Sequence, residues 1–442
     1  MTLPETGAIT LPPEKQWFTH DRFGLFIHWG LYSLHGQGEW NISRKEGDFD
    51  GYQKYFDHFN PDLFDPRDWA RRARAAGMRY SIITAKHHDG FCLWNTKHTD
   101  WKVTNTPFKR DIIREWTDAF RAEGLRVGLY YSLIDWKHPD FTIDIFHPRR
   151  NAANVAELNA QRDMGRYREY MKAQVRELLT EYGRIDDMFF DFGYAKQSYR
   201  GLPGKGPMDW DSEGLTALTK SLQPNILINN RLGLLDRVAD YYTPERFVPE
   251  SVPTRDGRPA PWCAAFTSSE TWGYTRDDQV WKSTHQLIQI LVSMVSMGGN
   301  LLMNVGPNGR GELEPRAKEA LQGYADWMAL HSRAIYGCGH SEFKAPVDCR
   351  FTQNGRCLYL HMFNWPFLHL HLPGLGGKVE YAQLLNDASE IRILARGERI
   401  VGDGEGLQGL DPNPTPDDTL TLILPPRKPP VEVPVIALFL KG

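Results

Sequence analysis

Polar side chains that could do chemistry stand directly after short apolar runs at several places in the first 230 residues. Asp191 follows the run 188–190, and His28 follows the run 23–27. Runs of this length are typical of strands that are buried on both faces, as in a parallel sheet. The carboxyl ends of parallel strands lie at one edge of the sheet, where a β/α barrel has its active site. We therefore expect these side chains to meet at a catalytic centre.

Asp191 is the first candidate catalytic group. A carboxylate behind three apolar residues stays charged only if another group pairs with it or donates hydrogen bonds to it. Arg231, which lies just after the next apolar run, could hold Asp191 ionised as a nucleophile. Further donors could come from three histidines at other strand ends, His28, His87 and His88. A structural Asp191–Arg231 ion pair without a chemical role is the alternative on these residues alone.

A glycosidase of the retaining kind needs a second carboxyl group, about 5 to 5.5 Å from the first, to protonate the leaving oxygen. Segments with loop-like sequence between the later strands offer four such groups, Asp240, Glu245, Glu250 and Glu270. The first of these segments also contains two tyrosines and is partly apolar, which suits a general acid. Spacing in the sequence does not decide among the four carboxyl groups.

The run 86–89, Lys-His-His-Asp, offers a rival chemistry. Together with His28 and Asp191 it could hold a divalent metal, as in barrel metallohydrolases. Adjacent histidines in an extended strand point to opposite faces, so both can reach one metal only where the strand has ended. Gly90 permits such an end. The residues alone favour neither a metal site nor a site for sugar hydroxyls.

The elements that must position these groups alternate between strand and helix up to about residue 340. Strands are predicted at 23–27, 80–83, 127–131, 188–190, 226–228 and 301–305. Helices, most of them ended by glycine, are predicted at 66–76, 111–123, 156–182, 279–297 and 315–335. This alternation predicts an α/β fold, a TIM-like (β/α) barrel that need not be regular, over residues 1–340.

The sequence after residue 340 has a different pattern. Short segments with period-two alternation, separated by Gly and Pro, predict strands at 357–363, 368–372, 419–424 and 435–440. We therefore expect a C-terminal antiparallel β-sandwich over residues 341–442. His369 and His371 share one face of a strand, and without a third ligand nearby we interpret them as solvent-facing residues rather than a metal pair.

The composition of the 442-residue chain excludes some classes of partner. Lys and Arg number 52 against 55 for Asp and Glu, so no net positive charge favours nucleic acid or an anionic membrane. No apolar run approaches the roughly 20 residues of a membrane span. The N-terminus lacks the pattern of a signal peptide, and the five cysteines lack metal-ligand spacing. We expect a cytoplasmic protein that binds a neutral or polar ligand; a homo-oligomer is compatible with the sequence.

Seven sequence blocks between residues 17 and 340 occur in an order that is typical of one known family. They are FGLFIHWG at 23–30, GEW at 38–40, AKHHDGF at 85–91, GLYYS at 128–132, FD at 190–191, WGY at 272–274 and GGNLLMNVGP at 298–307. Together they resemble the α-L-fucosidases of glycoside hydrolase family 29. The resemblance implies an exo-glycosidase that hydrolyses α-L-fucosidic bonds of oligosaccharides or glycoconjugates by a retaining double displacement through a covalent fucosyl-enzyme intermediate. It also implies that no metal or other cofactor takes part.

The resemblance further assigns roles to residues of this sequence. Asp191 matches the nucleophile, and Arg231 matches an arginine beside it. Trp272 matches an aromatic residue that packs against the methyl side of the sugar. Positions that line the fucose pocket and bind its hydroxyls or ring are matched by His28, Glu39, Trp40, His87, His88 and Tyr131.

The position of the acid/base varies within this family. In one subgroup it ends a segment of the form Asp-x-x-Thr-x-Glu, to which residues 240–245 are similar. We therefore predict Glu245 as the acid/base, with Glu250 in reserve and Glu270 less favoured.

Two departures from the family pattern leave alternatives open. Cys263 stands where many members have glutamate, so that glutamate is either dispensable here or leaving-group recognition differs. Phe189 stands where relatives often have tryptophan, which keeps an apolar wall without an indole donor. The alternatives to a fucosidase are a barrel that binds carbohydrate without hydrolysis, a metal-dependent hydrolase, and a retaining hydrolase of a similar sugar such as an α-L-galactoside.

Overall fold

The computed structural model of the chain describes residues 10–44, 49–234, 238–394 and 415–442. Residues 1–9, on which the expectation about a signal peptide rests, lie outside the described residues. Among the described residues, no helix is long and apolar enough to cross a membrane.

The strands and helices alternate along the first three quarters of the chain. The strands are, in chain order, β1 (Phe23–Ile27), β2 (Tyr80–Lys86), β3 (Arg126–Ser132), β4 (Asp187–Asp191), β5 (Ser198–Tyr199), β6 (Leu202–Pro203), β7 (Leu227–Ile228), β8 (Thr254–Arg255), β9 (Arg258–Pro259), β10 (Cys263–Thr267), β11 (Asn300–Val305), β12 (Cys349–Asn354), β13 (Cys357–Met362), β14 (His369–Pro373), β15 (Val379–Leu384), β16 (Arg392–Ile393), β17 (Thr419–Ile423) and β18 (Val435–Leu440). The α-helices are α1 (Trp17–Asp21), α2 (Tyr32–His35), α3 (Asn41–Arg44), α4 (Phe49–Asp57), α5 (Pro66–Ala75), α6 (Ile112–Ala122), α7 (Val155–Ala160), α8 (Met164–Glu181), α9 (Pro207–Trp210), α10 (Ser212–Leu222), α11 (Thr284–Ser296) and α12 (Pro315–His331).

Seven parallel strands form one curled sheet in the order β10, β11, β1, β2, β3, β4 and β7. The gap between the outer strands β7 and β10 is bridged by the extended segment 240–246. On one side Asp240 N donates to Ile228 O at 2.8 Å, and on the other Cys263 N donates to Tyr242 O at 2.8 Å. This segment therefore takes the place of an eighth barrel strand, and it carries Glu245.

Several helices begin at a residue whose side chain caps the first turn. Asp65 accepts from backbone N–H groups of the first turn of α5, where Pro66 occupies the first helical position. Ser283 and Gln286 form a reciprocal capping box at the start of α11. The helices pack their apolar sides against the outer face of the sheet, while alternate strand residues fill the barrel interior. Phe26, for example, belongs to the interior cluster and its neighbour Leu25 to the outer one.

Antiparallel sheets form the C-terminal part of the chain. One has the strand order β12, β13, β18 and β15, and the other has the order β14, β17 and β16. Between them lies an apolar core that includes Leu358, Leu422 and Leu438. Trp327 of the last barrel helix donates its indole N–H to Val433 O at 3.1 Å, which ties these sheets to the barrel.

The predicted fold class, a TIM-like barrel followed by an antiparallel sandwich, is confirmed. The prediction missed β10, β12 and β15, together with the two-residue strands β5, β6, β8, β9 and β16. β10 has the sequence CAAFT, and its two alanines weaken the apolar signal of a buried strand. The helix predicted over 156–182 is two helices, because the first ends at Ala160 and Asp163, in an extended conformation, caps the second by accepting from Gly165 N and Arg166 N.

Candidate active site

A cavity of about 680 Å³ opens at the carboxyl ends of the barrel strands. It is lined by Phe26, His28, Trp40, His87, His88, Tyr130, Phe189, Asp191, Phe192, Gly193, Tyr194, Ala195, Lys196, Gln197, Gly206, Pro207, Asn230, Arg231, Gly233, Glu245, Ala265 and Trp272. Of the ten predicted site residues, eight are in this lining, namely Asp191, Glu245, His28, Trp40, His87, His88, Arg231 and Trp272. Tyr131 and Glu39 are not.

Arg231 joins the two predicted catalytic carboxylates. One terminal nitrogen donates to Asp191 Oδ1 at 2.7 Å, and the other donates to Glu245 Oε2 at 2.9 Å. Burial opposes the charge of this guanidinium, but the two carboxylates outweigh it and raise the pKa of Arg231 above its ordinary value. The Asp191 side chain is 10% exposed and that of Glu245 is 39% exposed, so Asp191 lies inside the cavity and Glu245 at its rim.

The second donor to Asp191 is Tyr130, whose hydroxyl lies 2.6 Å from Asp191 Oδ2. The pleat of the sheet explains why Tyr130, and not Tyr131, contacts Asp191. Tyr130 pairs in register with Phe189, two residues before Asp191, so all three side chains point into the barrel. Tyr131 points outward, where its hydroxyl donates to Gln174 Oε1 at 2.8 Å. The prediction that Tyr131 lines the pocket is therefore corrected: Tyr130, not Tyr131, has its side chain on the inner face of the barrel.

His28 is held as one tautomer. Asn304 donates its amide N–H to Trp272 O at 2.7 Å, which leaves Asn304 Oδ1 to accept from His28 Nδ1 at 2.7 Å. The proton is thus on Nδ1, and Nε2 is an acceptor. Burial, together with the nearby Arg246 and Arg231 charges, lowers the pKa of His28 to about 3. His28 is therefore neutral near pH 7.

The other two histidines are also neutral. Ser132 donates its hydroxyl to Ile134 O at 2.7 Å, so its oxygen accepts from His88 Nδ1 at 2.7 Å. Burial, then the Lys86 charge, lowers the pKa of His88 to about 3. Burial also lowers the pKa of His87 well below its ordinary value, and its ring stacks on Tyr130 with 5.5 Å between centroids. The cavity is therefore bordered by imidazoles that can accept hydrogen bonds from hydroxyl groups.

Aromatic rings form the apolar part of the wall. Trp272 lies 5.1 Å from the His28 ring and 6.1 Å from the Phe26 ring, between centroids. Phe189, the residue that departs from the family pattern, packs against Phe26 at 5.2 Å. On the other side Trp40 packs against His88 at 4.8 Å. Rings of this kind suit the apolar faces and methyl groups of sugars.

Lys86 and Asp89, which flank the two histidines in the run 86–89, are buried and lie outside the cavity lining. Lys86 is fully buried and pairs with Asp135 Oδ2 at 3.3 Å. Asp89 accepts from Tyr52 Oη at 2.7 Å, and burial raises the pKa of Asp89 to about 6. Within the part of the chain that the structure describes, no three His, Cys, Asp or Glu side chains are arranged to hold a metal ion.

Glu39 lies outside the cavity lining. Its Oε2 accepts from Gly273 N at 2.8 Å, and burial raises the pKa of Glu39. Glu250 and Glu270 are exposed, as is Glu245, but unlike Glu245 they are outside the lining. Cys263 is buried in the barrel interior with its Sγ 3.6 Å from Tyr80 Oη, and it is not part of the cavity lining.

One stretch of the lining was not predicted. It begins with Phe192, directly after Asp191, and continues through Gln197. Phe192 has a φ of 95°, in the left-handed region that bulky residues rarely adopt. Its ring packs against Trp40 at 5.4 Å and His88 at 4.9 Å, which holds it in place. The sequence gives no periodic signal here, because this segment is a loop.

The geometry agrees with a comparison against protein families. The family model "Alpha-L-fucosidase" matches residues 4–333. The chain belongs to the α-L-fucosidase family, glycoside hydrolase family 29. It is therefore a member of a family of glycoside hydrolases, as the sequence resemblance indicated.

Relatives and solved structures extend this result. The chain is 30% identical over 420 residues to human plasma alpha-L-fucosidase, covering 87% of this chain and 82% of that protein. It superimposes with a TM-score of 0.87 on alpha-L-fucosidase isoenzyme 1 from Paenibacillus thiaminolyticus, at 41% identity over 97% of this chain and 99% of the other. A GH29 alpha-L-fucosidase from Bacteroides thetaiotaomicron, trapped as a covalent intermediate in a glutamate-to-glutamine variant, gives a TM-score of 0.81 at 29% identity, covering 99% of this chain and 98% of the other.

Proposed function

We propose that this enzyme removes terminal α-L-fucose from oligosaccharides or glycoconjugates by double displacement with retained configuration. The observation that carries the proposal is the Arg231 guanidinium, which contacts Asp191 and Glu245 at once. Contact with one guanidinium brings the two carboxylates near each other, which is compatible with the retaining geometry, in which the carboxyl groups lie about 5 to 5.5 Å apart. The covalent intermediate trapped in the related Bacteroides enzyme supports the same chemistry.

The two carboxylates take different roles in this proposal. Asp191, oriented by Tyr130 and Arg231, attacks the anomeric carbon, while Glu245 protonates the departing oxygen. Glu245 then removes a proton from the water that releases fucose from Asp191. Glu245 suits the second role because it lies at the cavity rim, where both the leaving group and water have access.

The cavity walls support fucose as the sugar. The Nε2 atoms of His28 and His88 are acceptors in the tautomers described above, so each can accept a hydrogen bond from a sugar hydroxyl. The wall of Trp272, Phe26 and Phe189 offers an apolar surface to the 6-methyl group. An α-L-galactoside has a hydroxyl at this carbon, which would lose its hydrogen bonds to water against an apolar wall.

Release of the phenol from an aryl α-L-fucoside tests the proposal. Asp191→Ala should lower turnover by several orders of magnitude with the fold intact, and a chelator should have no effect. Turnover within about tenfold of wild type in this variant would disprove the nucleophile assignment. Loss of activity with chelator would support the metal-dependent alternative, and fucose binding without any release by the wild type would support a binding-only barrel.

A second experiment tests Glu245 against its reserves. Glu245→Ala should lower hydrolysis of fucosides with poor leaving groups by about 10²- to 10⁴-fold, the usual contribution of a general acid. For fucosides with good leaving groups, kcat/KM should fall much less, because departure of the leaving group then needs no proton. Added azide should yield fucosyl azide of retained configuration. Glu250→Ala and Glu270→Ala are the matched controls. If either control shows this leaving-group dependence and Glu245→Ala does not, the assignment moves to that residue.

The cytoplasmic localisation and the oligomeric state stay predictions. Cell fractionation with an antibody tests the first, and light scattering of the purified protein tests the second.

A further inference from the structure

The loop between β4 and α9 follows directly after Asp191 and lines one side of the cavity. Six lining residues belong to its two limbs, with Tyr194, Ala195, Lys196 and Gln197 on the outgoing limb and Gly206 and Pro207 on the returning one. The residues between the limbs form the exposed hairpin of β5 and β6. We call residues 194–207 the rim loop. It begins three residues after Asp191, and its lining residues Ala195, Lys196 and Gln197 are exposed.

The base of the rim loop is anchored by a buried ion pair. Lys205 Nζ donates to Asp144 Oδ2 at 2.7 Å and to Thr142 O at 2.8 Å. The hydroxyl of Tyr194 also donates to Asp144 Oδ2. The Lys205 and Asp144 side chains are 5% and 1% exposed. We call Lys205, Asp144 and Tyr194 the base clamp.

The two limbs of the rim loop also pack closely against each other. Tyr194 N donates to Lys205 O at 2.8 Å, and Gly204 N donates to Gln197 O at 2.7 Å. A Cβ atom at Gly204 would lie 2.0 Å from Tyr194 O, and one at Gly206 would lie 2.5 Å from Ala195 Cβ. The close contact of the limbs therefore requires glycine at both positions. The base of the loop has a fixed shape, although its tip is exposed.

Two polar side chains on this loop, Lys196 and Gln197, have no partner among the residues that the structure describes. Lys196 and Gln197 line the cavity, and neither side chain makes a hydrogen bond or ion pair with another described residue. The histidines, Trp272 and Asp191 account for the inner part of the cavity, where the fucose unit of the proposed function would lie. Lys196 and Gln197 are exposed on the outer part. Their donors are therefore free to bind the group that leaves.

We propose that the rim loop forms a leaving-group subsite, in which Lys196 and Gln197 bind the hydroxyl-rich sugar that carries the fucose. This inference rests on the proposed function, because it needs fucose in the inner cavity. The base clamp acts as a positioning device that keeps the two side chains at a fixed distance from Asp191. A small aryl leaving group offers few acceptors to these donors, whereas a sugar offers several hydroxyls.

The experiment compares two substrates in each variant. The first is 4-nitrophenyl α-L-fucoside, and the second is the fucosyl-lactose isomer that the wild type cleaves fastest. Lys196→Ala and Gln197→Ala should each lower kcat/KM for the trisaccharide, by about tenfold for the charged donor, mainly through a higher KM. Both should leave kcat/KM for the aryl fucoside within about twofold. Arg200→Ala, at the tip of the same hairpin and outside the cavity lining, is the matched control and should change neither substrate.

Lys205→Met tests the base clamp. It should lower kcat/KM for the trisaccharide more than for the aryl fucoside, and Lys205→Arg should restore part of the difference because it keeps the charge. If Lys205→Met does not fold, Lys196→Ala and Gln197→Ala still decide the proposal. Equal losses on both substrates, or no loss on the trisaccharide, would overturn the leaving-group subsite. Failure of the wild type to cleave the aryl fucoside would instead refute the proposed function.

Discussion

Replacing Arg231 by lysine separates the two tasks of this guanidinium. Arginine contacts Asp191 at 2.7 Å and Glu245 at 2.9 Å with different nitrogens, and its Nε donates to Thr243 Oγ1 at 3.0 Å. A lysine has one ammonium group and cannot reproduce this planar fork. We expect the ammonium to stay with Asp191, which is the more buried carboxylate. Glu245 then loses its partner.

The magnitude follows from the exposure of each carboxylate. The Glu245 side chain is 39% exposed, so its ion pair contributes only about 0–1 kcal/mol. The larger effect is on position, because a misplaced general acid loses up to the roughly 10²- to 10⁴-fold that such a group contributes. Arg231→Lys should therefore lower kcat/KM by less than about tenfold for activated aryl fucosides and by about 100-fold or more for unactivated ones.

The assay is a series of aryl α-L-fucosides whose phenols differ in acidity. Wild type should show a shallow dependence of kcat/KM on the leaving group, and Arg231→Lys a steep one. Arg231→Met is the comparison, since it also removes the charge from Asp191. A charged hydrogen bond of about 1.5–3 kcal/mol corresponds to roughly 10- to 150-fold, and this loss should apply to every leaving group. If Arg231→Lys lowers kcat/KM by the same factor for every aryl fucoside, the reasoning that Arg231 positions Glu245 is wrong.

Three further predictions concern other parts of the structure. Tyr130→Phe should lower kcat/KM by about 10- to 100-fold because the donor to Asp191 is lost, whereas Tyr131→Phe should stay within about twofold; equal effects would contradict the parity described above. Burial, then the nearby His331 charge, lowers the pKa of His361 to about 3, while the unfolded chain takes up a proton there near pH 6.5. Between about pH 6.5 and pH 3 the unfolded chain therefore holds a proton that the folded chain lacks, so the free energy of unfolding should fall by about 1.4 kcal/mol for each unit that the pH is lowered. His361→Gln should remove that part of the slope in urea titrations. Lys86→Met should lower the free energy of unfolding by about 3–5 kcal/mol because the buried Asp135 carboxylate loses its cation and keeps only neutral donors, and an unchanged denaturation midpoint would refute this.

The sequence was sufficient for six of the seven parallel barrel strands, all except β10, because the apolar signals of those six are local. A run such as 23–27 is apolar throughout, and the structure has a buried strand over the same residues. The polar residues after these strands could be placed at the cavity for the same reason, since every parallel strand ends at one edge of the sheet. Asp191 and Arg231 are two such residues, and both line the cavity.

Tertiary structure decided which of two adjacent tyrosines contacts Asp191. Tyr130 and Tyr131 lie in one apolar run, and both are buried. Only the register between β3 and β4 shows that Tyr130 shares the inward face with Phe189, because successive side chains of a strand point to opposite faces. No local feature of the sequence contains that register.

Two further features, the position of Glu245 and the anchoring of the rim loop, depend on contacts between residues far apart in the chain. Segment 240–246 carries Glu245 to Arg231 because it bridges the gap between β7 and β10, and β10 is a strand that the sequence did not predict. Lys205 and Asp144 anchor the rim loop although 61 residues separate them. The sequence by itself therefore determined the barrel, the family and most of the pocket. Tertiary structure determined which strand side chains face the barrel interior, how segment 240–246 closes the barrel and how the rim loop is anchored. Each of these features is a pairing between segments that are distant in the chain.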